Sequence, residues 1–520
     1  MPLAFKPDAS FFEKIALGAV GTQAVVAYLE AQGHRMAELE NGSTATKMWK
    51  DVKRKRVRIP DLVCIRCGQR VESRAKSNKP ELAMSHSAAD AERAWDFGMV
   101  DEDWIAFPVC NRLSEEKWSV GRLDEEISYW HSRDRVRLAV AGHIGFFSVA
   151  DFRGTPAVRS STKGVTEGSE TTIGWDAIFS TRSGTVTRVD GPRVTVRRDG
   201  DGRPHTWPNS KALPLAVEPG QKVAEHQVLA AAVIPRSEQD LRCRGELPQG
   251  YIAALLQSPE RTQRFTGVKL ARHRHEVRYK DVIRKVGLNR EEDIYVRMEA
   301  AAYLVAVAGE PAETTFRPYL SRAEDQVRLE AVVALAETRT DAAGEVLAEI
   351  MDDSSAPYFL RSAAAWGLGR IGTDASARRL IAAFSDVNTA IREEALDAVT
   401  MLGVAPLPRL LEEVFSHDNG VAAGAAETIR RLSEVPQNAI EQLVERILSG
   451  DPPEWAAWLL GSLPNPDATT HLEVARLQED RPQVHFAVTV LASFTESWIA
   501  RSWDAFPRPL DFRPAELAAR

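Results

Sequence analysis

Cysteine is scarce in this chain, with four in 520 residues. That is too few to staple a secreted scaffold, and it fits a reducing, cytoplasmic setting. Long apolar runs are missing too. No stretch reaches the roughly 20 residues needed to cross a bilayer. The opening MPLAFKPDASFFEKIALGAVG has acidic residues where a secretory leader would have a basic start and an apolar core. No GxxxxGK[ST] phosphate loop is present, so an energy-driven step would need another subunit. Neither sign of charge dominates: 66 Lys and Arg face 73 Asp and Glu, for a net charge of -7. Nucleic-acid binding would therefore have to come from a local basic patch.

Hydrophobic residues at 44% and charged residues at 27% describe a globular chain, and its length calls for two to four domains. The C-terminal half repeats itself. VRMEAAAYLVAVA starts at Val296, VRLEAVVALAET at Val327, LRSAAAWGLGRIG at Leu360, IREEALDAVTMLG at Ile391 and VAAGAAETIRRL at Val421. Between them lie second helical segments such as AGEVLAEIMDD and ASARRLIAAFSD. One such pair cannot bury its apolar face alone, whereas stacked pairs build a continuous core. The pattern resembles short HEAT-like repeats over residues 250–505, with weaker copies at PPEWAAWLLGSL and QVHFAVTVLASF, followed by a tail at 506–520. Arrays of this type mostly serve as binding surfaces, so a protein partner is expected there. The repeat type also resembles that of lyases acting on bilin pigments, a reading that leaves the N-terminal region unexplained.

Residues 136–245 switch to short alternating runs punctuated by Gly and Pro, which predicts strands. SGTVTRVDGPRVTVRRDGDGRPHTW reads as successive hairpins with DGDG as a turn. The following LAVEPGQKVAEHQVLAAAV resembles the signature of sandwich-barrel hybrid domains, relatives of biotinyl and lipoyl carriers. Such carriers need a modifiable lysine at a hairpin tip. Lys211 in PNSKAL lacks that setting, so a structural or docking barrel is the expectation.

In residues 1–135, FFEKIALGAVGTQAVVAYLEAQGHRM predicts a long amphipathic helix stopping at Gly33. After the basic stretch KMWKDVKRKRVR (47–58) come PDLVCIRCGQRVESRAK, a helix start at SHSAADAERAWDFG and a strand at DWIAFPVC. This order resembles the PD-(D/E)XK, or restriction-endonuclease-like, nucleases. The overall expectation is thus a multidomain α+β chain with an α/β nuclease-like domain, a small β-barrel or sandwich domain and an all-α HEAT-like solenoid.

The resemblance implies a Mg2+- or Mn2+-dependent nuclease acting on nucleic acid, DNA ahead of RNA, with a role in defence against foreign DNA by analogy of architecture. It assigns the metal to Asp61 and Glu72 and the remaining chemistry to the basic residue that follows. Metal held by two carboxylates would lower the pKa of a bound water and offset charge on the scissile phosphate. Glu72, Arg74 and Lys76 share one strand face, with Val71, Ser73 and Ala75 on the other. The family's Glu-x-Lys is here Glu72-Ser73-Arg74, and an arginine can hold a phosphate but cannot accept a proton. Either Lys76 has taken over, or the site binds nucleic acid without cutting it; the second alternative is a non-catalytic scaffold with a degenerate nuclease fold. Thr22-Gln23 also stands where relatives place a Gly-Glu pair.

Cys64-x-x-Cys67-Gly68 has the spacing of half a zinc site. The other half is not evident: Cys110, His34 and His86 are candidates, but no second cysteine pair exists. A plain hairpin turn with partly buried thiols is favoured over structural zinc on Cys64 and Cys67, with redox chemistry behind both. His86 itself fits a helix-start or surface histidine. A second basic stretch, RTQRFTGVKLARHRHEVRYKDVIRKVGLNR (261–290), opens the repeats and is a further candidate for phosphate contact. No helix-turn-helix, zinc-finger or RNA-recognition signature offers base reading.

Overall fold

The computed structural model describes residues 8–39, 58–86, 92, 94–112, 138–160, 171–190, 193–432, 434–449, 451 and 454–463. The chain divides into two compact units that meet in sequence at Tyr303 and Leu304.

The first unit opens with helix α1 (Asp8–Ala31). Its end is written in the sequence: Gly33 adopts φ +85°, and the amides of Gly33 and His34 donate back to the carbonyls of Glu30 and Leu29. This is a Schellman stop, in which glycine supplies the left-handed residue without a Cβ penalty. Strands β1 (Met36–Glu38), β2 (Leu62–Cys64) and β3 (Arg70–Ser73) run antiparallel in that order. Next come β4 (Lys76–Ser77), β5 (Leu82–His86) and β6 (Trp104–Arg112), with β6 parallel to both β3 and β4.

Alternation along the strands gives this sheet two apolar faces. Leu62, Val71, Trp104 and Ala106 pack on one face against Val25 and Leu29 of α1. The helix lies close, because a Cβ on Gly21 would come within 2.7 Å of the Ala75 Cβ. Ile105 and Phe107 point the other way, into a core with Leu82, Met84, Phe152 and Trp175.

That second core overrides the expected boundary between residues 1–135 and 136–245. Strand β7 (Leu138–Ser148) pairs antiparallel with β6 and so belongs to the N-terminal sheet. After helix α2 (Val149–Gly154) come β8 (Val158–Ser160) and β9 (Thr171–Trp175), and β9 pairs with both β8 and β5. Each of the two regions lends the other a strand, since Leu82, Met84 and Trp175 need a common apolar layer.

The hairpins appear where the alternation predicts them. Strand β10 (Ala177–Phe179) pairs with β15 (Val228–Ala231). Strands β11 (Gly184–Asp190), β12 (Arg193–Arg198), β13 (Pro204–Pro208) and β14 (Lys222–Val223) form a sheet in the order β13-β12-β11-β14. The DGDG turn closes with the Gly202 amide donating to the Arg198 carbonyl at 3.0 Å. Lys211 is ion-paired with Asp176 at 2.6 Å.

The helical region begins close to residue 250, where the repeats are expected to start. Helices α3 (Tyr251–Leu256), α4 (Arg261–His273) and α5 (Lys280–Leu288) belong to the first unit. From α6 (Ile294–Ala306) onward the repeat takes over, with α7 (Ala312–Leu320), α8 (Asp325–Ala336), α9 (Asp341–Asp352), α10 (Tyr358–Ile371) and α11 (Asp374–Ala382). It continues through α12 (Thr389–Met401), α13 (Leu407–Glu413), α14 (Asn419–Arg431), α15 (Gln437–Ser449) and α16 (Glu454–Ser462). Helix α10 packs against α8 and α12, and α14 against α12 and α16.

The recurring arginine explains part of the pattern. Arg297 donates to the Gly287 carbonyl at 3.2 Å, and Arg361 to the Met351 carbonyl at 2.7 Å. Arg392 reaches the Asp386 carbonyl at 2.6 Å. Each guanidinium serves a carbonyl at or just beyond the end of the preceding helix, where backbone acceptors lack partners. The sequence copy at QVHFAVTVLASF, the tail 506–520 and most of the basic stretch 47–58 lie outside the described residues. No helix among the described residues is long and apolar enough to cross a membrane.

Candidate functional site

The hairpin β2–β3 carries both groups of candidate residues. Leu62 pairs with Val71, so Asp61 and Glu72 fall opposite one another on the face away from α1. The Asp61 carboxylate accepts the Ser73 amide at 2.8 Å, and Glu72 is ion-paired with Arg74 at 2.9 Å. The structure therefore brings Asp61, Glu72 and Arg74 together.

Lys76 is placed elsewhere. Glu72 is in register with Ile105 and Lys76 with Val109, which separates their Cα atoms by about 13 Å along the strand. The Lys76 ammonium donates to the Ala83 carbonyl and to Glu81 at 3.3 Å, and sits 5.6 Å from the centre of the Phe107 ring. Burial holds this ammonium below the usual lysine range, with Glu81 pulling the other way. Thr22 is spent inside α1, where its hydroxyl donates to the Gly18 carbonyl at 2.9 Å.

At the other end of the hairpin the chain makes a tight turn. The Gly68 amide donates to the Cys64 carbonyl, and the Cys64 amide to the Gln69 carbonyl, both at 2.8 Å. Gly68 has φ +79°, and a Cβ there would lie 2.8 Å from Leu247 and from the Tyr251 ring. Gly68→Ala should thus cost about 1–3 kcal/mol, read as faster exchange of the Cys64 amide.

The sequence reading that favoured a plain turn missed what surrounds it. His34, Cys64, Cys67 and Cys243 bring their ligand atoms within 4.8 Å of one another. The Schellman stop at Gly33 delivers His34, and the Cys243 amide donates to the Gln32 carbonyl at 3.1 Å. The mutual hydrogen bond of Cys64 and Cys67 favours a thiolate on Cys64 and a retained proton on Cys67. Cys110 is not in the group. Its thiol lies 3.7 Å from the Leu17 carbonyl and is pushed up to about 11 by burial. His86 pairs with Thr171 in the β5–β9 ladder and accepts the Trp95 amide at 3.4 Å. The local signal was Cys64-x-x-Cys67-Gly68; nothing near it in sequence points to Cys243.

The basic stretch 261–290 also reads differently in three dimensions. Arg261 pairs with Glu92 and Asp293, Arg264 with Glu292, Arg274 with Glu246 and Glu276, and Arg278 with Glu276. Lys269 and Arg272 are buried against Glu299. Much of its charge is neutralised within the protein and does not form a free patch for phosphate.

Residues 313–400 match the HEAT-repeat family. No curated protein matches the chain. Among solved structures, human deoxyhypusine hydroxylase in complex with glycerol is 18% identical over 48% of this chain and 96% of its own, with a TM-score of 0.22. The CpcE–CpcF complex of phycocyanin lyase from Nostoc is 18% identical over 42% of this chain and 94% of its own, with a TM-score of 0.21. Kap121p is 12% identical over 52% and 41%, with a TM-score of 0.21. The family match carries the repeat assignment, and the C-terminal region is a helical HEAT array.

Proposed function

We propose that this chain is a non-catalytic scaffold in which the HEAT array holds a protein partner and the N-terminal α/β domain keeps a nuclease-like layout without its chemistry. The observation that supports this reading is the position of Lys76. It is bonded to Glu81 and the Ala83 carbonyl, and the position next to Glu72 is held by Arg74, which cannot accept a proton. Stacked repeats bury their apolar faces on each other and leave a long ridged surface suited to protein segments. Contact with DNA would fall on the stretch 47–58, since the second basic stretch is largely paired internally.

One arrangement favours the other reading, a Mg2+-dependent PD-(D/E)XK nuclease working in defence against foreign DNA. Asp61 and Glu72 lie opposite on paired strands, as two oxygen ligands of one metal would. The antiparallel β1–β3 and the parallel pairing of β3 with β6 support the same reading in part, whereas the helix that the resemblance expects ahead of β6 starts at Ser85 and His86, which lie in β5.

Plasmid and linear DNA incubated with Mg2+ or Mn2+ separate the two. The scaffold reading expects no cutting by the wild type, Asp61→Ala or Lys76→Ala. Metal-dependent cutting by the wild type that disappears in Asp61→Ala overturns it. A parallel retention assay reports whether the uncut DNA is bound.

A further inference from the structure

We propose that His34, Cys64, Cys67 and Cys243 bind one structural zinc ion that fastens the chain segment leading into α3 onto the N-terminal sheet. This inference is independent of whether the chain cuts DNA.

Distances carry the argument. In a tetrahedral site with Zn–S near 2.3 Å and Zn–N near 2.05 Å, ligand atoms sit about 3.6 Å apart for S···N and about 3.8 Å for S···S. The Cys67 sulfur lies 3.6 Å from Nδ1 of His34, and all four ligand atoms lie within 4.8 Å of one another. All four cysteines are free thiols. Three sulfurs and one imidazole nitrogen make a soft donor set that suits zinc, and four protein ligands leave no open position for catalysis.

The surroundings are those of a built site. Nε2 of His34 is 2.9 Å from the Leu241 carbonyl, and donating there leaves the Nδ1 lone pair free to face the sulfurs. The loop carrying the two sulfurs is fixed by its backbone, with the Gly68 amide donating to the Cys64 carbonyl and the Ile65 amide to the Arg35 carbonyl, both at 2.8 Å. The ligands come from the end of α1, the β2–β3 turn and the segment between β15 and α3. The same turn is tied to α4, because Arg274 donates to the Ile65 carbonyl at 2.8 Å.

The test is the metal content of the full chain purified under reducing conditions. One zinc per chain is expected, with Cys110→Ser retaining it and Cys243→Ser losing it. Replacing zinc by Co2+ should give the thiolate charge-transfer and intense d–d bands of a tetrahedral sulfur-rich site. Should Cys243→Ser fail to fold, thiol alkylation of the wild type decides. Cys64, Cys67 and Cys243 should be protected together and released together by a chelator. His34→Cys should keep the metal with a changed Co2+ spectrum. A reduced wild type that takes up no added zinc overturns the proposal. So does zinc held undiminished by a folded Cys243→Ser, or independent modification of the three thiols.

Discussion

Replacing Arg70 by methionine should destabilise the first unit by about 3–5 kcal/mol, the usual cost of stripping one partner from a buried ion pair. Arg70 and Asp103 are each 3% exposed and meet in two contacts, Nε to Oδ1 at 2.9 Å and Nη2 to Oδ2 at 2.5 Å. Asp103 also accepts the Val100 amide, and Arg70 reaches the Gly98 carbonyl and the Thr266 hydroxyl. One guanidinium thus ties β3, the strand that carries Glu72, to the turn before β6 and to α4. Burial already raises the Asp103 carboxyl above its ordinary range, outweighing the pull of Arg70. Losing Arg70 raises it further. A carboxyl with a raised folded pKa favours the fold below its unfolded value, and that contribution is lost as pH rises through the folded value. The penalty in Arg70→Met should accordingly be smaller at mildly acid pH than at pH 8. Arg70→Met with Asp103→Leu should recover most of the stability, because no unpaired charge remains. Native-state hydrogen exchange of the β3 amides reads both variants. Equal penalties in the single and double variants would sink the account.

What could be read in the sequence was whatever is settled by near neighbours. The repeats were legible because each helix packs against the next. The structural helices start at Ile294, Asp325, Tyr358, Thr389 and Asn419, each two residues before the matching sequence copy. Gly33 as the end of α1 and DGDG as a turn were legible for the same reason. Strand partners were not. Alternation in TTIGW says that it is half-buried, but not that β9 pairs across the expected boundary with β5, whose Ser85 and His86 read locally as a helix start. The carboxylate pair was partly legible. The spacing of Asp61 and Glu72 placed them on neighbouring strands, yet the turn of Lys76 toward Glu81 and the Ala83 carbonyl depends on contacts that no local pattern singles out. Cys243 was beyond reach, since the segment that holds it is fixed by contacts such as His34 to Leu241, 207 residues apart.

Glu299→Leu should be comparably costly, about 3–5 kcal/mol, for a reason the charge count of 261–290 conceals. Glu299 on α6 is 2% exposed; it lies 2.6 Å from Arg272 and 3.6 Å from Lys269, and Lys269 is wholly buried. Removing the carboxylate takes from two buried cations of α4 the anion they share. Glu299→Gln should fall between wild type and Glu299→Leu, because the amide keeps a hydrogen-bond acceptor without the charge. The triple change Lys269→Met, Arg272→Leu and Glu299→Leu should approach wild-type stability, as apolar replacements of whole buried ion clusters often do. Exchange of the α4 amides is the readout. If instead Lys269 and Arg272 served an outside anion, Glu299→Leu would leave α4 intact and strengthen DNA retention at low salt. Glu330 and Glu394 are buried at the equivalent position two residues after the repeat arginine. In three of the five copies a buried glutamate is thus part of how the repeat is built, and the lysine and arginine of α4 answer Glu299 from inside the fold.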